Sequence, residues 1–390
     1  YPSRFGIEPL WSDRDTIRFQ ISHAGQYVVA FGNSGPRHGL VVAADPWEND
    51  KPSLDDPGVL ICENSDRDFL EQNWDNKRTL YFKKGPHELG GEVVLPPNVR
   101  EVYLEGGSVV YGSFHCNYDN VKLYGRGMVS GLHMKWREDH SIESPSSVSG
   151  IIVDGIAVAD FVQFAVRLLG SDNAIRWTKC YGAWRFNNDG FVAWQRSTME
   201  HSFIHADDDA IKLYDDDVAV NDIVIWMEVN GSALQLGWES LAAKNVSVRN
   251  IDIVFAEWQD TSKNPNLGVI NLRLPHGRGN TMENFRFENI YVDTPVLKFI
   301  DLRMKDMGEG KGGGRHKMKN FYFKNIHVQQ KRLGTENNRN AFAPWDDEWG
   351  YENFVFEDVY VNGVKITDKN AESDGMFSFG GNSREAISFR

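Results

Sequence analysis

The sequence predicts an all-β chain dominated by a parallel β-helix, a solenoid of stacked strands, with a small β-sandwich-like module in front of it. Three observations point there. A short phrase of alternating polar and apolar residues recurs along most of the chain, helix-like periodicity is scarce, and the first 60 or so residues follow a different pattern. Period-2 alternation marks strands, and its recurrence at intervals of a few tens of residues marks a solenoid.

Taken in order, TIRFQISHAGQYVVAFG and HGLVVAADP read as antiparallel strands of an N-terminal module over residues 1–70. The polar segment from Glu63 to Lys77 reads as a linker or a short helix, and the β-helix occupies residues 71–390. Its opening coils lie in the stretch from Tyr81 to Phe114, with Gly and Pro at the corners. The repeated phrase then appears as NVKLYG from Asn120, GIIVDGIAV from Gly150, NAIRW from Asn173, NDIVIW from Asn221 and NVSVRNIDIVF from Asn245. It is cleanest in NFRFENIYV, NFYFKNIHV and NFVFEDVYV, from Asn284, Asn320 and Asn353. Stacked in register, their Val, Ile and Phe residues make the core, and the asparagines at the bends bond from coil to coil. Variable spacing fits loops of unequal length leaving one face. A β-sandwich with irregular loops is the competing architecture.

Composition narrows the function. The 390 residues carry a formal charge of −13, which argues against a nucleic-acid partner, because phosphate binding needs a basic surface. No run of about 18 apolar residues offers a membrane span. The three cysteines, Cys62, Cys116 and Cys180, lack metal-ligand spacing and are expected to be free and buried. Asn230 and Asn245 stand in N-x-S sequons. A chain that opens on Tyr1 fits a processed secretory protein and equally a trimmed one.

The chemistry concentrates in HADDDAIKLYDDDVAV, from His205 to Val220. Asp189, in FNNDGF, precedes Asp208 by 19 residues, close to the shortest coil of the repeat. Neighbouring strands lie roughly 4.7–4.9 Å apart, so Asp189, Asp208 and Asp209 meet on one patch if both segments occupy the same corner of successive coils. Glycoside hydrolysis needs two carboxyl groups in different protonation states, about 6.5–9.5 Å apart in an inverting enzyme. Crowded carboxylates supply that difference, because one keeps its proton to higher pH.

The run NNDGF, HADDDAIKLY and VIWMEVNGSALQLGW resembles glycoside hydrolase family 49, the dextranases and isopullulanase, from about Leu80 to the C-terminus. The resemblance implies a right-handed parallel β-helix and an inverting hydrolase of α-linked glucan. By position it makes Asp208 the general acid and Asp189 and Asp209 the residues that activate water. The plan is also similar to that of the polygalacturonases. The Gly-His-Gly and Arg-x-Lys elements that serve a uronate substrate are missing, since the region after the pair reads QLGWES. Two departures stand out: Asp207 replaces the usual Asn before the pair, and the N-terminal module is far shorter than the family's sandwich domain.

Lys212, Trp238 and His205 are the candidate substrate-binding residues. Lys212 follows the triplet on the expected strand, either bonding a sugar hydroxyl or restraining a carboxylate, and Trp238 offers an indole face to a sugar ring. Arg273 and Arg303 are read as surface ion pairs, the glycine-dense stretch from Met307 to His316 as a flexible rim, and Asp215 to Asp217 as a turn. No cofactor and no metal are expected; a calcium loop would need alternating ligands that DDDAIKLYDDD lacks. The expected partner is a polysaccharide or oligosaccharide, with no nucleic acid and no membrane, and the expected location secreted or periplasmic. Alternatives are hydrolysis of a galacturonan-, arabinose-, galactose- or fucose-based polymer, a β-helical lyase, and a non-catalytic carbohydrate-binding β-helix.

Overall fold

The computed structural model describes residues 1–31, 35–182, 184, 186–238, 242–258, 267–273, 279–304 and 314–390. Within them the chain from Val59 onward winds as a parallel β-helix, its inner strands pairing in parallel with strands one coil before and one coil after. The three Asn-Phe phrases show why. Phe285, Phe321 and Phe354 stand in one register column and Phe287, Phe323 and Phe356 in another. Their rings stack at centroid distances of 4.7 and 4.6 Å in the first column and 5.0 and 4.4 Å in the second, all within 5° of parallel. Each such contact contributes about 0.5–1.5 kcal/mol beyond burial.

The corners are set by asparagine, one of the few residues that tolerate a left-handed backbone. Asn245, Asn284, Asn320 and Asn353 all have φ between +56° and +59°. The side-chain amide of each donates to the residue one coil earlier: Asn353 to Asn320 at 2.8 Å, Asn320 to Asn284 and Asn284 to Asn245 at 3.1 Å, and Asn245 to Asp217 at 2.9 Å. A second ladder runs through Asn325, Asn289, Asn250 and Asn221. The coil-to-coil bonding anticipated from the repeat is therefore present at two corners.

Parallel pairing starts earlier than residue 71. Val59–Cys62 already pairs with Thr79–Phe82, so the first rung lies inside the span assigned to the N-terminal module. Between them Arg67–Asn73 forms a short α-helix, capped by the Asp66 carboxylate, which accepts from the Phe69 amide at 2.8 Å. The module itself comprises two antiparallel two-stranded ribbons, Trp11–Ser12 with Ile17–Arg18 and Gly25–Ala30 with Gly39–Ala44. It lies along the helix flank: Val28 packs with Phe203, Val224, Trp226 and Val254, and Arg4 grips Asp252 with two bonds of 2.7 and 2.9 Å. Cys62, Cys116 and Cys180 are free and buried. Among the described residues no helix is long and apolar enough to cross a membrane.

Candidate active site

The strands Asp189–Ala193 and Ile211–Leu213 are parallel neighbours with Phe191 opposite Ile211 and Val192 opposite Lys212. The offset is 20 residues, one more than the spacing to Asp208, so the residue level with Asp189 is Asp209. The backbone agrees, since the Gly190 amide donates to the Asp209 carbonyl at 2.9 Å. Asp208 sits one step earlier, at the bend before the strand. One oxygen from each of Asp189, Asp208 and Asp209 lies within 4.8 Å of the other two. The cluster anticipated from the repeat is thus assembled, although these oxygens are closer than the carboxyl separation of about 6.5–9.5 Å expected of an inverting enzyme.

Two buried carboxylates beside a half-buried third need compensation, and Lys212 provides it. Its Nζ lies 2.7 Å from Asp189 Oδ1 and 2.6 Å from Asp209 Oδ2, and donates to Gln235 Oε1 at 3.3 Å. Tyr214 donates its hydroxyl to the same Gln235 oxygen. Burial opposes the ammonium charge, yet Asp189 and Asp209 hold it well above its usual pKa. Lys212 is therefore a buried clamp on two carboxylates. Of the two roles raised for it, the restraint of a carboxylate is the one its geometry shows.

Asp208 has a different environment. Its Oδ2 accepts from the amides of Asn187 at 3.0 Å and Asn230 at 2.9 Å, and its Oδ1 from the Asp209 backbone N–H at 2.9 Å. Burial, then the neighbouring Asp209 charge, push its pKa up to about 6. Burial also drives Asp189 well above the ordinary carboxylate range, against the pull of Lys212. A cluster of three carboxyls and one ammonium therefore keeps a proton near neutral pH. The same oxygens suit a cation, but Lys212 already places a positive charge among them.

The bend depends on close packing by Gly231, which has φ +55°; a Cβ there would lie 2.2 Å from the Asp208 carbonyl carbon. Asp207 is buried and turned away from the pair. Its Oδ1 accepts from the backbone amides of Val229 at 3.1 Å and Asn230 at 3.4 Å, and burial raises its pKa despite them. It anchors the next coil, a role its position beside the catalytic candidates does not advertise.

The carboxylates open into a cleft of about 580 Å³ whose walls include Arg137, His140, Phe164, Arg167, Trp194 and Trp238. Trp238 lines it as expected, with the Arg273 guanidinium 5.0 Å from its ring centre. Arg273 thus belongs to the cleft wall, and Arg303 chelates the buried Asp301 at 2.9 and 2.6 Å. His205 does not reach the cleft. It lies on a neighbouring face, its Nε2 2.7 Å from Glu228 Oε1 and its ring 4.9 Å from that of Trp226, because strand alternation before the bend turns it toward the N-terminal module. Asn230 is buried and committed to Asp208, so its sequon is not a glycosylation site. Asp216 and Asp217 bond Lys244 and Asn245 one coil on, as a turn should. Residues 305–313, most of the expected rim, lie outside the described residues.

Sequence reasoning missed Asn187, Asn230 and Gln235. An uncharged amide carries no crowding signal, and only the coil offset shows which carboxylate it faces. Had the register between coils been known, Asn230 would have stood one coil after Asp207 and within reach of its neighbour.

A parallel β-helix with three clustered carboxyl groups facing an open cleft is the arrangement expected of the β-helical glycoside hydrolases. Comparison with known proteins narrows it. No family model matches the chain. A dextranase of Arthrobacter globiformis is 24% identical over 458 residues, covering 97% of this chain and 68% of that protein. An isopullulanase of Aspergillus niger is also 24% identical, covering 95% and 70%. The solved structure of Dex49A from Penicillium minioluteum superposes with a TM-score of 0.73 at 18% identity, over 99% of this chain and 72% of that one. The chain is a dextranase-like glycoside hydrolase, a relative of the family 49 dextranases and isopullulanase.

Proposed function

We propose that this protein hydrolyses an α-glucan such as dextran or pullulan with inversion at the anomeric carbon. Asp208 protonates the glycosidic oxygen, while Asp189 and Asp209 deprotonate the attacking water. The observation that carries the reading is the unequal treatment of three neighbouring carboxyls. Lys212 bonds both Asp189 and Asp209, whereas Asp208 is bonded by neutral amides instead and its pKa is pushed up to about 6. Acid and base are thereby separated by environment, as a two-carboxylate hydrolysis requires. Two carboxylates shared by one ammonium are held in place and weakened as nucleophiles, which favours activation of water over covalent attack.

The relatives supply the substrate class, since their names specify dextran or pullulan cleavage. A polymer of that size supports a secreted or periplasmic location. One observation favours a second reading: oxygens within 4.8 Å approach the spacing of about 5–5.5 Å typical of retaining enzymes. In that reading Asp189 or Asp209 attacks the sugar directly. Proton NMR during early hydrolysis of dextran and of pullulan separates the two. Release of the β-anomer first supports inversion, release of the α-anomer establishes retention, and no new reducing ends on either polymer rejects the substrate assignment.

A further inference from the structure

We propose a second, non-catalytic carbohydrate site on the flank of the β-helix, where Trp47 and Trp177 hold a glucose unit of the polymer. The choice of sugar rests on the α-glucan reading above. The site is a separate cavity of about 410 Å³, lined by Trp47, Tyr124, Arg126, Asp154, Trp177 and Glu200 among others, and shares no residue with the catalytic cleft.

Trp47 is held in an unusual way. Its indole is 93% exposed, yet the chain on both sides is fixed to the helix. Asp45 pairs with the buried Lys179, and the Pro46 carbonyl accepts from Arg126 Nη2 at 2.9 Å. Glu48 Oε2 accepts from the Tyr103 hydroxyl at 3.0 Å, and Asp50 pairs with Lys122. A segment anchored at four residues presents a large apolar ring to water beside the cavity. Side-chain burial would normally cover such a ring, and an exposed aromatic face is what a sugar's C–H surface stacks on.

The backbone points to the same place independently. One corner column of the solenoid has a positive-φ residue in nine successive coils. In register order it reads Gly125, Gly155, Trp177, His201, Asp222, Asn250, Asn289, Asn325 and Asp358, all with positive φ. Gly, Asn and Asp suit that conformation, whereas a bulky side chain there is an outlier. Trp177 adopts it at φ +50° and His201 at φ +52°, and their rings stack at 4.6 Å and 15°. Both positions line this cavity, as does Gly125 of the same column, and Trp177 is the bulky outlier among them. Backbone strain of this kind concentrates at ligand clamps. Around the rings, Asp154, Arg176 and Glu200 offer carboxylate oxygens and guanidinium N–H groups, the donors and acceptors that sugar hydroxyls use.

The test uses the full chain. Trp47→Ala removes an exposed ring, and Trp177→Asn installs the residue that other coils carry at this corner, so both variants are expected to fold and Trp177→Asn to melt no lower than the parent. Retention by dextran in native affinity gels is compared for Asp208→Asn and for the same protein with each tryptophan change. In the otherwise unaltered enzyme, kcat/KM is measured on short dextran-derived oligosaccharides. The expected result is retention weakened about fivefold by either tryptophan change, the equivalent of one lost stacking contact, with kcat/KM on oligosaccharides within about twofold of the parent. Dextran hydrolysis with unchanged retention overturns the flank site alone. No hydrolysis, but retention that depends on the tryptophans, overturns the glucan-hydrolase reading and leaves the flank site standing. No hydrolysis and no tryptophan dependence overturns both.

Discussion

Replacing Lys212 with Met removes the charge that holds the acidic cluster together and keeps most of the side-chain volume. The ammonium lies 2.7 Å from Asp189 and 2.6 Å from Asp209. At an effective dielectric of about 20, each contact is worth roughly 6 kcal/mol of gross attraction. Desolvation of all three groups offsets most of that, and breaking a buried pair from one side typically costs about 3–5 kcal/mol. With an unfolding entropy near 2.1 cal/mol/K per residue, a 390-residue chain then loses about 4–6 °C in melting temperature at pH 7. The sign of the pH dependence follows from the carboxyls. Burial already holds Asp189 above its unfolded pKa and Lys212 pulls it down, so without the ammonium it rises further and the folded variant binds more protons than the folded parent as pH falls. The deficit is therefore larger at pH 7 than at pH 4. Differential scanning calorimetry of both proteins across that range measures it. A deficit of equal size at pH 4 and pH 7 would refute the electrostatic argument and reduce Lys212 to a packing residue.

Other outcomes follow from the same geometry. The general acid must be protonated, so kcat/KM falls as pH rises through about 6, the value set at Asp208 by burial and by Asp209. In Asn187→Ala, loss of one hydrogen bond to the charged form, worth about 1 kcal/mol, shifts that limb upward by about half a pH unit or more; an unmoved limb would assign it to another group. Gly231→Ala places a Cβ 2.2 Å from the Asp208 carbonyl carbon and demands φ +55° of a residue that disfavours it. Activity is expected to drop by more than about tenfold together with thermal stability, whereas a variant normal in both would show that the bend adapts.

The solenoid was legible because its determinants are local. Period-2 alternation and asparagines at φ near +57° in Asn284, Asn320 and Asn353 are properties of single segments, repeated. The acidic cluster was legible because carboxylates spaced one coil apart converge wherever the coils stack in register. The level at which Asp189 meets its partner was not, because one residue in the bend at Asp208 decides between Asp208 and Asp209, and spacing alone does not reveal a bend. His205 failed for a related reason: the strand alternation leading into that bend turns its side chain to Glu228 and Trp226. The start of the solenoid at Val59 was hidden by the short helix Arg67–Asn73, whose polar surface reads as a linker.

The most direct test of the account is the activity of Asp208→Asn on dextran and pullulan beside that of the parent, read as release of reducing ends. The substitution retains shape and removes the transferable proton, so the account predicts a fall in kcat of at least about 10²-fold with the melting profile and polymer binding preserved. A variant that folds, binds and turns over within a few-fold of the parent would contradict the assignment of Asp208 as the acid, and with it the division of labour that Lys212 sets up among the three carboxylates.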